Sequence, residues 1–356
     1  MTTSEPEDRG SLLHAVVPPS QVDRLFAACS DHAWQLLLVG VVVGALPPLV
    51  GLEQGYLMTV VTEMYLFAIL ALSWDFIGGQ TGYPSFGNMA FFGIGAYTTA
   101  VLVKDFAVGF PAAMVAAALL TVAFAAVIGV VVLRLRGHYF AIATLGVLLA
   151  AQQVSRNLEV TGGASGKILL AVPEATVFYY LYFGVLAAEV AVVYYLSTTR
   201  FGFVLNAIRD DEEKATAMGF NTTAYKIAAW MLSALFTGLA GGGYSLLNTF
   251  INPQTAYNGA WNVELIAMAL MGGSGTVVGP VLGAFGLHTV IELVETAFVG
   301  WQLVVLGVAI VVTVVSFPDG VVGTLREYAS EMAYYERGGM AAAAADDSDA
   351  EVAADE

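Results

Sequence analysis

Residues 111–133, PAAMVAAALLTVAFAAVIGVVVL, run for 23 positions without a charged side chain. About 20 apolar residues suffice for a helix to cross the hydrocarbon core of a bilayer. A helix apolar around its whole circumference is either deeply buried or in lipid. The rest of the chain repeats this pattern. On the same criterion, spans are expected at 34–52, 56–77, 86–103, 111–133, 139–155, 174–196, 224–248, 277–297 and 300–317. A shorter candidate at 256–272 carries Glu264 and reads as a full span, a half-span or a re-entrant segment. The expected fold is therefore an all-α polytopic integral membrane protein with nine or ten transmembrane helices.

Composition agrees. Of 356 residues, 58% are hydrophobic and 12% charged, with a mean hydropathy of +0.75. A soluble domain carries roughly 25% charged residues. The formal charge of −16 excludes a nucleic-acid binder, which needs a basic face. The single cysteine, Cys29, and four scattered histidines leave neither a disulfide framework nor a metal site of ordinary spacing. Gly162-Gly163-Ala164-Ser165-Gly166-Lys167 is one residue short of a phosphate loop, and Ile168 stands where Ser or Thr is required. A membrane enzyme is disfavoured, because no nucleophile or His/acid pair presents itself.

Charge placement orients the spans. With ten crossings and both termini inside, the cytoplasmic segments carry Arg24, Arg134, Arg136, Arg200, Arg209, Lys214, Lys226 and Arg326, against Lys104, Arg156 and Lys167 outside. That is the basic-inside asymmetry of membrane proteins. Residues 1–33 form a polar N-terminal segment without the order of a signal peptide, so the first apolar span is expected to direct insertion. Residues 34–323 form the membrane domain, and 324–356 a cytoplasmic tail that is acidic and expected to be disordered from 341. Nineteen of the 29 acidic residues lie in 1–33, in 210–213 or from Asp319 onward, so the acidity belongs to the water-exposed parts.

Three segments stand out from the apolar background. Residues 78–97, GGQTGYPSFGNMAFFGIGAY, place Gln80, Thr81, Ser85 and Asn88 among six glycines and a proline. They read either as a broken helix offering polar groups to a solute or as a polar loop feeding a glycine-rich helix. Residues 200–221 space Phe201, Val204, Leu205 and Ile208 as one face of a short helix, with Gly219 as its stop. They serve either to dock a partner or as a solvated face. In residues 271–284, Gly272, Gly273 and Gly275 mark a turn with Pro280 early in the next helix. Gly275, Gly279 and Gly283 also form two GxxxG steps, as do Gly238 and Gly242 a third, and such residues allow close helix packing. The intramembrane acids Glu63, Glu189, Glu264, Glu292 and Glu295 are costly in hydrocarbon and so are functional candidates. His138 and His288 read as structural.

These landmarks carry a resemblance. Gly82-Tyr83-Pro84-Ser85-Phe86-Gly87-Asn88-Met89-Ala90-Phe91-Phe92-Gly93-Ile94-Gly95-Ala96-Tyr97, then Leu133 to Leu145 with Thr161-Gly162-Gly163, then Arg209 to Gly219, then Gly272 to Ala284, occur in family order. Phe317-Pro318-Asp319-Gly320 closes the pattern. From about residue 60 to 323 the chain resembles the inner-membrane permeases of branched-chain amino acid ABC transporters, LivM type. The resemblance implies four kinds of partner: a second homologous permease, two ABC ATPase subunits, an extracellular solute-binding protein and membrane lipid. ATP and Mg would sit on the ATPases, with no cofactor bound by this chain. It implies a cell-membrane location and a substrate pathway near Gln80, Thr81, Gly82, Ser85, Gly87, Asn88, Gly93 and Gly95. It also implies ATPase coupling through Arg209, Asp210, Glu213, Ala215 and Gly219. Lys214 stands where the coupling motif has its first alanine, and Asn88 where many relatives have His or Gln. An ion-coupled carrier, or a permease for urea or short amides, is the alternative reading.

Overall fold

The computed structural model describes residues 55–169, 173–298, 300–316 and 320. The expected first span at 34–52, the segment 1–33 and the tail 324–356 lie outside the described residues. Nine long helices follow the expected spans closely among the described residues: α1 (Tyr56–Thr81), α2 (Asn88–Asp105), α3 (Phe110–Val132), α4 (His138–Asn157), α5 (Ala175–Ser197), α8 (Thr222–Leu247), α10 (Gly259–Gly272), α11 (Gly279–Ala297) and α12 (Gln302–Ser316). Shorter helices α6 (Arg200–Asp210), α7 (Glu212–Ala217) and α9 (Pro253–Ala256) lie between them. By length and composition α1, α3, α5 and α8 are each able to cross a membrane. Helix α10, at 14 residues, extends only about 21 Å, short of the roughly 30 Å hydrocarbon core.

Helix α1 is the axis of the bundle and packs against α5, α8, α10 and α11. Its residues from Tyr65 to Ile77 are buried almost without interruption. Helix α8 lies against α2 and α3, and backbone meets backbone there. A Cβ on Gly95 would stand 2.1 Å from the Gly238 carbonyl oxygen, and one on Gly241 2.1 Å from that of Phe92. Without a hydrophobic force between helices in lipid, such close approach supplies the association energy. Val115, Leu119, Val127 and Val131 of α3, and Ile142 and Leu149 of α4, point outward and are exposed. Apolar outward faces of this extent suit lipid as the solvent.

Two expected features differ in detail. The 200–221 segment is two helices rather than one. Asp211, in an extended conformation (φ −163°, ψ 105°), ends α6, and its side chain accepts from the Glu213 and Lys214 N–H groups to begin α7. Gly275, read both as part of a turn and as the first GxxxG position, sits at φ 79° in the turn before α11, so the GxxxG step that starts at it is not helical. Gly279 and Gly283 do lie on α11, and a Cβ on Gly283 would stand 2.0 Å from the Met268 carbonyl of α10. The stretch resembling a phosphate loop forms a 3-10 turn (Gly163–Ser165) and a strand β1 (Lys167–Ile168). That strand pairs antiparallel with β2 (Phe250–Ile251), Lys167 opposite Ile251. The Lys167 ammonium is buried against Asp105, where it neutralises a helix end rather than cradling an anion.

Candidate functional site

The end of the bundle where α1 stops gathers the loop 82–87, the loop 133–137, α6 and α7, the start of α8 and the turn 273–278. Its centre is Lys226, only 2% exposed. Its ammonium donates to Glu212 Oε1 at 2.6 Å, to the Tyr83 hydroxyl at 3.0 Å and to the Leu133 carbonyl at 3.2 Å, using all three protons. The Tyr83 hydroxyl donates in turn to Glu212 Oε2, and its ring lies 4.2 Å from the ammonium. Arg136 reaches the same carboxylate at 3.8 Å and bonds the exposed Glu213 at 3.0 Å. Burial pushes the Glu212 carboxyl up, but the bonds from Lys226 and Tyr83 outweigh it and hold the group below the usual carboxylate range. Burial, then the bond to Glu212, raises the Tyr83 phenol. The network thus ties α7 to three separate parts of the bundle.

Arg209 forms a second tie. Its guanidinium donates to the Gly79 carbonyl at 3.4 Å, at the C-terminus of α1, where the helix dipole favours a cation. It also fills the space over Gly275, whose Cβ would stand 2.4 Å from Nη1. The Gly275 N–H donates to Asp75 Oδ1 at 2.8 Å. Asp210 and Glu213 are exposed, and Ala215 is fully buried. Gly219 (φ 89°) closes α7 with a bond from the Phe220 N–H to the Ala215 carbonyl, a left-handed C-terminal cap. The α6–α7 pair buries Val204, Leu205 and Ile208 while leaving Phe203 63% and Met218 60% exposed.

The residues of 78–97 sit deeper in the packing. The helix persists through Gln80 and Thr81, both buried, and Thr81 bonds back to the Ile77 carbonyl. Gly82 (φ 72°) ends it, and the non-helical stretch is only 82–87. Ser85 accepts the Trp74 indole N–H on its carbonyl and the Gly87 N–H on its hydroxyl. Asn88 donates to Ser233 at 3.1 Å, and the Met89 N–H donates to Asn262 at 3.4 Å. Gly93 faces the Tyr257 ring, and Gly95 faces Gly238. These eight residues form a helix junction with buried polar groups from α2, α8 and α10.

A cavity of about 320 Å³ opens instead near the other end of α1. Glu63, Glu264, Glu292 and Glu295 line it together with His288, Phe67, Tyr244 and Trp261. Four of the five intramembrane acids therefore converge. The fifth, Glu189, is buried elsewhere and accepts from Ser73 at 2.6 Å. His138 is exposed at the start of α4. His288 is buried in the cavity wall against the Phe67 ring, with no hydrogen bond to either ring nitrogen among the described residues. Sequence reading passed over Asp75, Tyr83, Glu212 and Lys226. Asp75 and Lys226 carried a usable signal, each being a charge inside an otherwise apolar span.

A lipid-facing helical bundle with an internal acidic cavity at one end and a firmly anchored peripheral helix pair at the other is built as a transport protein of the membrane. The model of a family described as "Branched-chain amino acid transport system / permease component" matches residues 56–314. The chain is 28% identical over 301 residues to the high-affinity branched-chain amino acid transport system permease protein LivM of Salmonella typhimurium strain LT2, covering 75% of this chain and 70% of that one. It is 27% identical, over the same shares, to LivM of Escherichia coli K12. A segment of 100 residues, 27% of the chain, is 32% identical to 28% of the autoinducer 2 import system permease protein LsrC of Yersinia pseudotuberculosis. No solved structure matches. The chain belongs to the family of branched-chain amino acid transport permeases. It is a transporter subunit and not an enzyme, working with other subunits of an ABC importer.

Proposed function

We propose that the chain forms part of the membrane pathway of an ATP-driven importer whose cargo is a branched-chain amino acid delivered by an extracellular solute-binding protein. A second homologous permease completes the pathway. Two ATPase subunits carry ATP and Mg on the face formed by α6 and α7, and this chain holds no cofactor of its own. Both termini lie in the cytoplasm of a cell-membrane protein, consistent with Arg134, Arg136, Arg200, Arg209 and Lys214 at the α6–α7 end and Lys104, Arg156 and Lys167 at the other.

The observation that carries this reading is the α6–α7 pair. A connector between two spans needs only a few residues. This one spans two helices, is held by a buried ion pair, and presents Phe203 and Met218 to the outside. Mild-detergent purification of the chain from its native operon context is expected to bring down ATPase subunits. Phe203→Asp with Met218→Asp is expected to lose them while leaving the chain in the membrane. In proteoliposomes, leucine uptake is expected to require ATP and to outrun uptake of urea. A chain that purifies without an ATPase and takes up leucine in an uncoupler-sensitive way would refute the reading.

A further inference from the structure

We infer that Glu63, His288 and Glu292 form a binding site for a divalent transition-metal cation in the acidic cavity. One carboxylate oxygen of Glu63, one ring nitrogen of His288 and one carboxylate oxygen of Glu292 lie within 4.8 Å of one another. An imidazole with carboxylates is a donor set that Zn²⁺ and its first-row neighbours accept. Ligands about 2.1 Å from a tetrahedral ion stand roughly 3.4 Å apart. Closing around an ion therefore needs only side-chain adjustment, which the Glu63 side chain, 41% exposed, is free to make.

His288 points to the ligand independently of the acids. It is 4% exposed, lines the cavity, and has no hydrogen-bond partner on Nδ1 or Nε2. A neutral imidazole carries one lone pair and one N–H, and burying both unmet is unfavourable. Its Nε2 lies 3.8 Å from Glu63 Oε2, where a cation between them would satisfy the lone pair and the carboxylate together. Tyr56 donates to Glu292 Oε1 at 2.5 Å, the outer bond that orients a metal-binding carboxylate.

Charge selects the class of ligand. Glu264 and Glu295 line the same space, and no Lys or Arg among the described residues pairs with any of the four acids. Carboxylates gathered inside a membrane bundle call for a counter-cation. A zwitterionic amino acid would bring a further carboxylate with no cationic partner there, so the site belongs to a metal ion rather than to the transported solute. This inference stands whether or not leucine is the cargo.

The test uses the tag-free full chain in detergent, freed of metal by a chelator. It is titrated with Zn²⁺ alone by calorimetry and with Co²⁺ by visible absorption. One Zn²⁺ per chain and the visible bands of a low-symmetry Co²⁺ site are expected. Glu63→Gln and His288→Ala are each expected to raise the Zn²⁺ dissociation constant by a factor on the order of 100. Absence of both stoichiometric Zn²⁺ uptake and Co²⁺ bands in the wild-type chain overturns the proposal without any variant. Zn²⁺ binding unchanged in a folded Glu63→Gln or His288→Ala chain also overturns it. So does metal-free leucine binding that disappears in Glu63→Gln, since the cluster would then read an ammonium.

Discussion

Replacing Lys226 with methionine removes the ammonium at the centre of the α7 anchor while keeping its apolar stem. Three hydrogen bonds vanish, and the Glu212 carboxylate, 13% exposed, keeps the Tyr83 hydroxyl, the Thr222 side chain and Arg136 at 3.8 Å. Breaking a buried pair by removing one partner costs about 3–5 kcal/mol. Glu212 has one escape, which is to take up a proton. At pH 7 that costs about 3.7 kcal/mol for a carboxyl with a reference pKa near 4.3, and this route caps the damage. Arg136 softens it further, so the expected loss is about 3 kcal/mol, more than a hundredfold in the folded-to-unfolded ratio. Unfolding titrations of the purified chain measure it, with Glu212→Gln and the double variant completing a cycle. The double variant is expected to be less destabilised than the sum of the singles by at least about 1.5 kcal/mol. If Lys226→Met costs under about 1 kcal/mol, or the singles add to within about 0.5 kcal/mol, the anchor is not an energetic unit and the reasoning fails.

Three further outcomes follow from the same geometry. Because the folded state holds Glu212 below its ordinary range, the stability it contributes is present above about pH 4.5 and is lost as pH falls through the depressed value. Acid titration of unfolding should therefore be flatter in Glu212→Gln than in wild type. Arg209→Ala removes a half-exposed tie between α6 and the end of α1, costing about 1 kcal/mol of stability. In the reconstituted importer, Arg209→Ala combined with Glu213→Ala should separate ATP hydrolysis from uptake while leaving the chain in the membrane. Gly241→Ala drives a methyl to 2.1 Å from the Phe92 carbonyl, so α2 and α8 must part. A loss of about 1–3 kcal/mol should appear as lower yield of monodisperse protein.

The helical architecture was legible because lipid imposes one rule on every span, and 56–77, 111–133 and 224–248 announce themselves by length and by at most two charged residues each. Pairwise chemistry was not legible in the same way. Asp211 reads in sequence as one member of a polar run, yet its extended backbone divides α6 from α7, a result of side-chain capping that periodicity does not see. Glu63 and Glu264 were visible singly as costly charges, and Glu292 and Glu295 as an i, i+3 pair on one helix face. Their convergence depends on α1, α10 and α11 meeting in space, and no spacing along the chain records that. Gly275 illustrates the converse. Its GxxxG spacing suggests a helix and its neighbours Gly272 and Gly273 a turn, and the packed structure takes the turn, at φ 79° with room for Arg209.

The two sites are joined by continuous helices, which bears on how a subunit on one face would act on a cavity at the other. Helix α1 carries Glu63 in the cavity wall and the Gly79 carbonyl under Arg209, 16 residues and about 24 Å apart. Helix α8 starts beside Lys226 and brings Tyr244 into the same cavity, about 27 Å away. Neither helix is broken between these points. A tilt of about 10° imposed at the α6–α7 end would move the far end of α1 by roughly 4 Å over that length, enough to open or close a cavity of about 320 Å³. Close packing at Gly95 and Gly241 keeps α2 and α8 moving as one body, because interiors this dense shift between discrete arrangements rather than deform. The ligand and the docked subunit would then bias the same equilibrium, each only by its differential affinity for the two arrangements. On that argument, cutting the Lys226 or Arg209 tie should leave cavity binding intact in the isolated chain and abolish its response to nucleotide in the assembled importer.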